Sequence, residues 1–312
     1  MQLVEVHQIK RSNKLFKELD QLAFLSKNIY NSGMYLIKQE YFNNKKHLNY
    51  FDINRIMVDQ KNVDYYKLPC KVSNNILQGM FKGVVSFYRS LKEFNVAPSK
   101  FLGRPHLPRY KHSLLGRNII PYEKGAISKA QFKKHKLINF SGTDIKIKTK
   151  ITSWDDIQAA RIVPCLGYYK IEIIYNKQPI EHNLNKENTL GIDIGLNNLV
   201  AGATTTNKSF LINGRPLKSI NNYYNKHKGE IQSKLESINK KTSKRLNKLT
   251  NKRNNKVNDY LHKSSSKIIN YCLTNNIGNI IVGHNDGWKQ EINLGKRNNQ
   301  NFVQIPFNNL II

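Results

Sequence analysis

Acidic residues are scarce in this sequence: Asp and Glu number 21 against 51 Lys and Arg, a formal net charge of +30 over 312 residues. A compact chain with that imbalance repels itself, so a polyanionic partner is the natural reading. Ribosomal and membrane-surface proteins can be as basic, but here the charge runs through the whole chain rather than a tail. Long apolar runs are also missing. No stretch approaches the roughly 18 consecutive apolar residues needed to span a bilayer, and the opening MQLVEVHQIK is not a signal peptide. Neither membrane insertion nor secretion is expected. Cysteine is rare: Cys70, Cys165 and Cys272 stand apart with no C-x-x-C pair. A disulfide framework and a zinc site are therefore not expected, a reducing cytoplasm fits, and the three read as small buried hydrophobes.

The length suffices for two or three structural units. Residues 2–9 alternate apolar and polar well enough for one strand. From Asn13 to about Glu93 the spacing turns helical, with Leu15, Leu19, Leu22 and Tyr35 to Ile37, and later Ile76, Leu77, Met80, Val84 and Leu91. Ser73, after Pro69, is a candidate cap for the second block. This predicts a helical unit (13–97) inserted after a first strand (1–12). "GRPHLPRYK" (103–111) breaks any helix, and the alternating runs IKIKTKI (145–151) and YYKIEIIY (168–175) read as antiparallel strands. With residues 2–9 they suggest a small barrel or open sheet over 98–182. Trp154, Asp155 and Asp156 read as a turn, and 180–189 as a linker.

A further unit (183–312) starts with a strand at 189–194, followed by Leu199–Ala203 and a third run within "NKSFLING" (207–214). A long helical stretch covers 220–275, and "GNIIVGHND" (278–286) reads as a buried parallel strand. Three antiparallel strands, a helix and a parallel strand is how an RNase H-like fold begins.

Between Lys226 and Lys263 twelve Lys/Arg face three acids, with Ile231, Leu235, Ile238, Leu246, Leu249, Val257 and Leu261 as an apolar stripe. The other faces are cationic: either a solvated basic face or a phosphate-binding one, with Lys248, Lys252 and Arg253 as candidates. Arg104, Arg109 and Lys111, interleaved with His106 and Tyr110, form a second patch. Tyr110 is placed either to stack on a base or as a half-buried strand residue.

Asp193 sits at the centre of the apolar strand "LGIDIGLNNLV" (190–200). A carboxylate buried there needs a pair, a hydrogen bond or a metal. In an RNase H-like fold such an Asp helps hold two Mg²⁺ ions across a phosphodiester. The alternative is an Asp that caps the following turn. Asp259 and His262 read as a metal pair or as partners in a salt bridge, and His284 and Asp286 lie just past a strand end.

The motif "GIDIGLNNLV" closely resembles the first catalytic motif of the TnpB (OrfB) proteins encoded by bacterial insertion sequences. "IYNSGMYLIKQ" (29–39), "GRPHLPRYK", "GRPLKSINNYYNK" (214–226), "KLTNKRNNKVNDYLHKSSSKIINYC" (248–272) and "NDGWKQEINLGKRNNQNFVQIPF" (285–307) resemble further family segments in order. The resemblance implies an α+β multidomain chain: a β-barrel-like wedge domain interrupted by a helical recognition lobe, then an RNase H-like (RuvC) domain. It implies a transposition-linked, RNA-guided DNA endonuclease with guide RNA, target DNA and Mg²⁺, located in the bacterial cytoplasm with the nucleoid. Asp193 is the catalytic and metal-binding residue that the motif carries over. Where the commonest pattern has a second catalytic Glu, this chain has Gly283, and Glu291 is the nearest acid downstream. The family's C-x-x-C pairs and last catalytic Asp would follow Ile312, so the resemblance describes a RuvC-like domain incomplete at its C-terminus. The competing expectation is a nucleic-acid-binding protein without catalysis, either an inactive RNA-guided DNA binder or a decayed transposase fragment.

Overall fold

The alternation at the N-terminus folds as β1 (Gln2–Lys10) in a computed structural model, which describes residues 1–44, 47–283, 295 and 304–311. Contacts divide the chain into two units, Met1–Pro179 and Ile180–Ile312.

In the first unit β1 leads into α1 (Phe16–Asn44), α2 (Tyr50–Asp59), α3 (Val63–Tyr66) and α4 (Cys70–Val96). A reciprocal cap starts α2: the Asn49 side chain accepts from the Asp52 N–H while the Asp52 carboxylate accepts from the Asn49 N–H. Pro69, not Ser73, occupies the position before α4. Ser73 lies inside that helix, fully buried, and its Oγ donates to the Tyr65 carbonyl at 2.7 Å. A helical serine with a neighbouring carbonyl in reach spends its hydroxyl there, so the expected cap is not used. Helix α4 stops at Val96 because Pro98 disfavours helical geometry at Ala97, which sits at φ −140° and ψ 73°.

The chain then forms β2 (Ile120–Glu123), α5 (Lys129–His135), β3 (Leu137–Asn139), β4 (Lys146–Lys148), β5 (Ile157–Cys165) and β6 (Tyr168–Asn176). The main sheet is antiparallel in the order β1-β6-β5-β2, and β3 pairs only with β4. The barrel-like expectation is corrected: the sheet is open, with β1 and β2 at its edges. Residues 149–150 do reach β1, but through a side chain. The Glu5 carboxylate accepts from Thr149 Oγ1 at 2.8 Å and from the Lys150 N–H, which replaces the backbone ladder that closure would need. Pro121, with no N–H to give, is tolerated because β2 is an edge strand. One continuous core joins Leu19, Ile29 and Leu77 of the helices to Ile120, Ile162, Ile171 and Ile173 of the sheet.

In the second unit β7 (Thr189–Ile194), β8 (Asn198–Thr204) and β9 (Ser209–Asn213) form an antiparallel meander. Then come α6 (Arg215–Glu236), α7 (Lys244–Thr274), β10 (Asn279–Val282) and, at the end of the described chain, α8 (Asn308–Ile311). The sheet order is β10-β7-β8-β9, with β10 parallel to β7. The helical stretch 220–275 is two helices. Asn239 adopts a left-handed φ of 50° in the break, and Ser243 caps α7 by accepting from the Leu246 N–H at 3.1 Å. Ile238, placed in the apolar stripe by its spacing, lies in that break and is exposed. Strand β10 is not buried as expected: Ile281 is 65% exposed.

Leu190, Ile192 and Ile194 of β7 pack with Val257, Leu261 and Ile268 of α7 and with Phe307. One sheet face therefore supports α7 and the other carries the alternate residues of each strand. Gly214, just before α6, is buried against the turn after β7. A Cβ there would lie 2.2 Å from the Leu196 carbonyl oxygen, so only glycine lets α6 start so close to that turn.

Candidate nucleic-acid interface

Asp193 is exposed, a correction to the buried acid read from the strand's apolar composition. Strand alternation explains the difference. Ile192 and Ile194 face the core while Gly191 and Asp193 face away from it, so the carboxylate keeps its hydration and no desolvation has to be offset. Its cross-strand neighbour on β8 is Ala201. On the other side, Val282 pairs with Ile192, so Gly283 lies level with Asp193, and the Gly283 N–H donates to the Ile192 carbonyl at 2.9 Å. Glycine or alanine thus surrounds the acid on both neighbouring strands and two residues back along its own. Among the described residues no side chain or backbone group bonds to the Asp193 carboxylate, so the turn-capping alternative finds no hydrogen bond.

The second cluster is α7. Lys248, Lys252 and Lys256 occupy successive turns of one exposed face, and among the described residues none of them is paired with an acid. Arg253 differs. Its Nε donates to Asn221 Oδ1 at 2.8 Å, Nη1 donates to Asn254 Oδ1 at 3.0 Å, and Nη2 donates to the Gln304 carbonyl. Partial burial lowers its pKa. The guanidinium therefore ties α6, α7 and the Gln304 segment together.

The sequence-predicted patch in the first unit is an irregular strap along α1. Asn31 fastens it twice, its Nδ2 donating to the Lys111 carbonyl and its Oδ1 accepting from the Lys111 N–H, both at 2.9 Å. Buried Lys27 donates to the Ser113 carbonyl at 2.6 Å, and burial lowers its pKa. Arg117 grips Asp20 with two bonds of 2.9 and 2.7 Å, and Tyr169 donates to the same carboxylate at 2.8 Å. Arg104 and Arg109 remain exposed. Tyr110 is 45% exposed with Lys38 Nζ 4.1 Å from its ring centroid. Lys111 is half-buried, its Nζ 4.8 Å from the centre of the Tyr30 ring, and desolvation lowers its pKa. The strap offers Arg104, His106, Arg109 and one face of Tyr110 to solvent, while Lys111 is held back.

Residues 172–289 match the OrfB_IS605 family model, described as a probable transposase. The matched segment takes in β7 to β10, α6 and α7, with Asp193 and the α7 cations inside it. The strap lies outside it. No curated protein matches the chain. Solved structures are similar at low identity, two of them as follows. The Cas12f1-sgRNA-target DNA complex matches at 12% identity and a TM-score of 0.47, over 95% of this chain and 70% of that one. A CRISPR-Cas12f ternary complex matches at 13% identity and a TM-score of 0.30, over 94% and 68%.

Within the matched segment, Asp259 pairs with Lys263 at 2.8 Å on the exposed side of α7 rather than with His262. Among the described residues no group of three or more metal-ligating side chains assembles. Glu291, His284 and Asp286 lie outside the described residues. Of the cysteines only Cys272 is buried; Cys70 is exposed and Cys165 half-buried, so a shared role as buried hydrophobes is corrected. Trp154–Asp156 do form the turn before β5. Among the described residues, no helix is long and apolar enough to cross a membrane. Sequence reasoning missed Tyr223, Tyr224 and Lys256, which line a cleft between α6 and α7. The adjacent tyrosines in "NNYYNK" were the available signal.

Proposed function

We propose that this chain is a TnpB-like, RNA-guided DNA-binding protein linked to transposition, whose 183–312 unit is a RuvC-like nuclease core built around Asp193. On this reading the 13–97 helices are the recognition lobe and 1–12 with 98–182 the wedge domain. Guide RNA and target DNA are the partners, held by Lys248, Lys252 and the exposed Arg104, Arg109 and Tyr110. The observation that carries it is Asp193 itself: a carboxylate with no partner among the described residues, exposed on one face of a sheet, among glycine and alanine, inside the segment that matches the transposase model. Among the described residues nothing bonds to that carboxylate, and the small residues beside it leave room for a phosphate backbone.

The residues fit Mg²⁺ in part. One exposed carboxylate suits an ion that completes its shell with water and substrate phosphates. Bound there, Mg²⁺ would supply charge stabilisation to the oxygens of a phosphodiester under attack by water. Asp193 would hold and orient it, and the alanine and glycine floor would leave the approach open. A second reading, RNA-guided binding without cleavage, is favoured by one feature: the residue level with Asp193, just past β10, is Gly283, which has no carboxylate to add.

The deciding assay supplies guide RNA, a matched double-stranded target and Mg²⁺ to the 312-residue protein. Cleavage that disappears in Asp193→Ala supports the nuclease. RNA-dependent target binding with no cleavage supports the second reading. Target binding that does not depend on RNA overturns both.

A further inference from the structure

Between α6 and α7 lies a cleft of 230 Å³. Tyr223 and Tyr224 of α6 form one wall, and Lys252 and Lys256 of α7 form the other. Tyr224 is fixed in place, its hydroxyl 3.2 Å from Thr250 Oγ1 and its ring centre 5.8 Å from the tethered Arg253 guanidinium. Tyr223 is different. It is 60% exposed, and the His227 ring meets it at 4.3 Å and 62°, which orients it. Lys252 and Lys256 stand one helical turn apart, and among the described residues no acid is paired to either and no acidic side chain lines the cleft.

An oriented, water-exposed aromatic ring beside unpaired cations has the two elements of a sequence-tolerant nucleic-acid groove. The ring accepts the flat face of a base, and the cations track the backbone. The volume is below the roughly 300–1,000 Å³ of pockets for drug-sized ligands, which suits one flat unit of an extended chain. Bases within a duplex already stack on their neighbours and present no free face. We infer that this cleft seats one unpaired nucleotide of a single strand, its base stacked on Tyr223 and its flanking phosphates against Lys252 and Lys256. The inference rests on the nucleic-acid-binding reading above and deepens it.

The test titrates the 312-residue protein into end-labelled single strands carrying 2-aminopurine at each position in turn, in separate RNA and DNA arms. Anisotropy reports binding and 2-aminopurine quenching reports stacking. The expected result is quenching in at least one arm, which identifies the strand type, and little in a duplex of the same sequence. Tyr223→Ala should abolish the quenching and weaken binding by about 5- to 150-fold, while Tyr223→Phe keeps both. Tight binding whose quenching and affinity are unchanged in Tyr223→Ala overturns the stacking site and leaves the nucleic-acid reading intact. Equal quenching by the duplex also overturns it. Failure of any strand to bind overturns both.

Discussion

Replacing Lys248, Lys252 and Lys256 together by alanine should flatten the salt dependence of nucleic-acid binding by a calculable amount. The three residues follow one another at four-residue intervals, about 6 Å apart along the α7 axis, on a face that no acid neutralises among the described residues. Each phosphate contact contributes about 0.7 to the slope of log affinity against log salt for a single strand and about 0.9 for a duplex. Losing three contacts removes about 2.1–2.7 from that slope. Between 50 and 200 mM salt, the affinity lost on raising the salt should then be roughly 20- to 40-fold smaller than for the unmodified protein. Arg253 belongs outside this set despite its position on the same helix, because Asn221, Asn254 and Gln304 already take its donors. Arg253→Ala should lower the melting temperature and leave the slope nearly unchanged. Anisotropy titrations of a labelled RNA at four salt concentrations give the slopes. An unaltered slope in the triple variant refutes the α7 assignment. A full unit lost in Arg253→Ala refutes the claim that internal hydrogen bonds occupy that guanidinium.

The Arg117 guanidinium, with help from the Tyr169 hydroxyl and against partial desolvation, holds the Asp20 carboxyl below the usual carboxylate range. A depressed folded-state pKa stabilises above the unfolded value and is lost as pH falls through the folded one. The stability advantage of the natural chain over Asp20→Asn, about 1 kcal/mol after allowing for the pair's partial exposure, should be present at pH 6 and shrink below about pH 4. Urea unfolding at pH 6 and pH 3 measures it, and an advantage undiminished at pH 3 counts against the pair. Gly283→Glu places a carboxylate level with Asp193, and among the described residues a Cβ there meets only the Ile192 carbonyl oxygen at 3.6 Å, an ordinary contact. Mn²⁺ binding should tighten by about tenfold or more and return to its starting value when Asp193→Asn is added; calorimetry that finds no gain would place the two positions on different faces.

Much of the architecture was legible in residue order. The alternation at 2–9 and 168–175 marked β1 and β6, and the meander at 189–213 was readable because each short apolar run ends in glycine, asparagine or threonine. Those signals are local, and local chemistry writes them directly into the sequence. Other elements had no such signal. Strand β5, "IQAARIVPC", carries alanines, an arginine and a proline, and it is a strand because β6 and β2 pair with it on either side. The parallel placement of β10 beside β7 was readable in outline, but its exposure was not, since "NIIV" has the composition of a buried strand and only the sheet order puts it at an edge.

The candidate site divides the same way. Composition alone established a polycationic chain, and the motif alone singled out Asp193. Whether that acid is buried, whether Arg253 is free, and which cations share a cleft with an exposed ring are questions of facing. A strand turns every second residue to the opposite side, and a helix returns to the same side every three to four. Which side meets the core is decided by what packs there: α7 and the Phe307 segment cover the Ile192 face of β7 and leave the Asp193 face open. That choice depends on residues distant in sequence, so tertiary structure decided it.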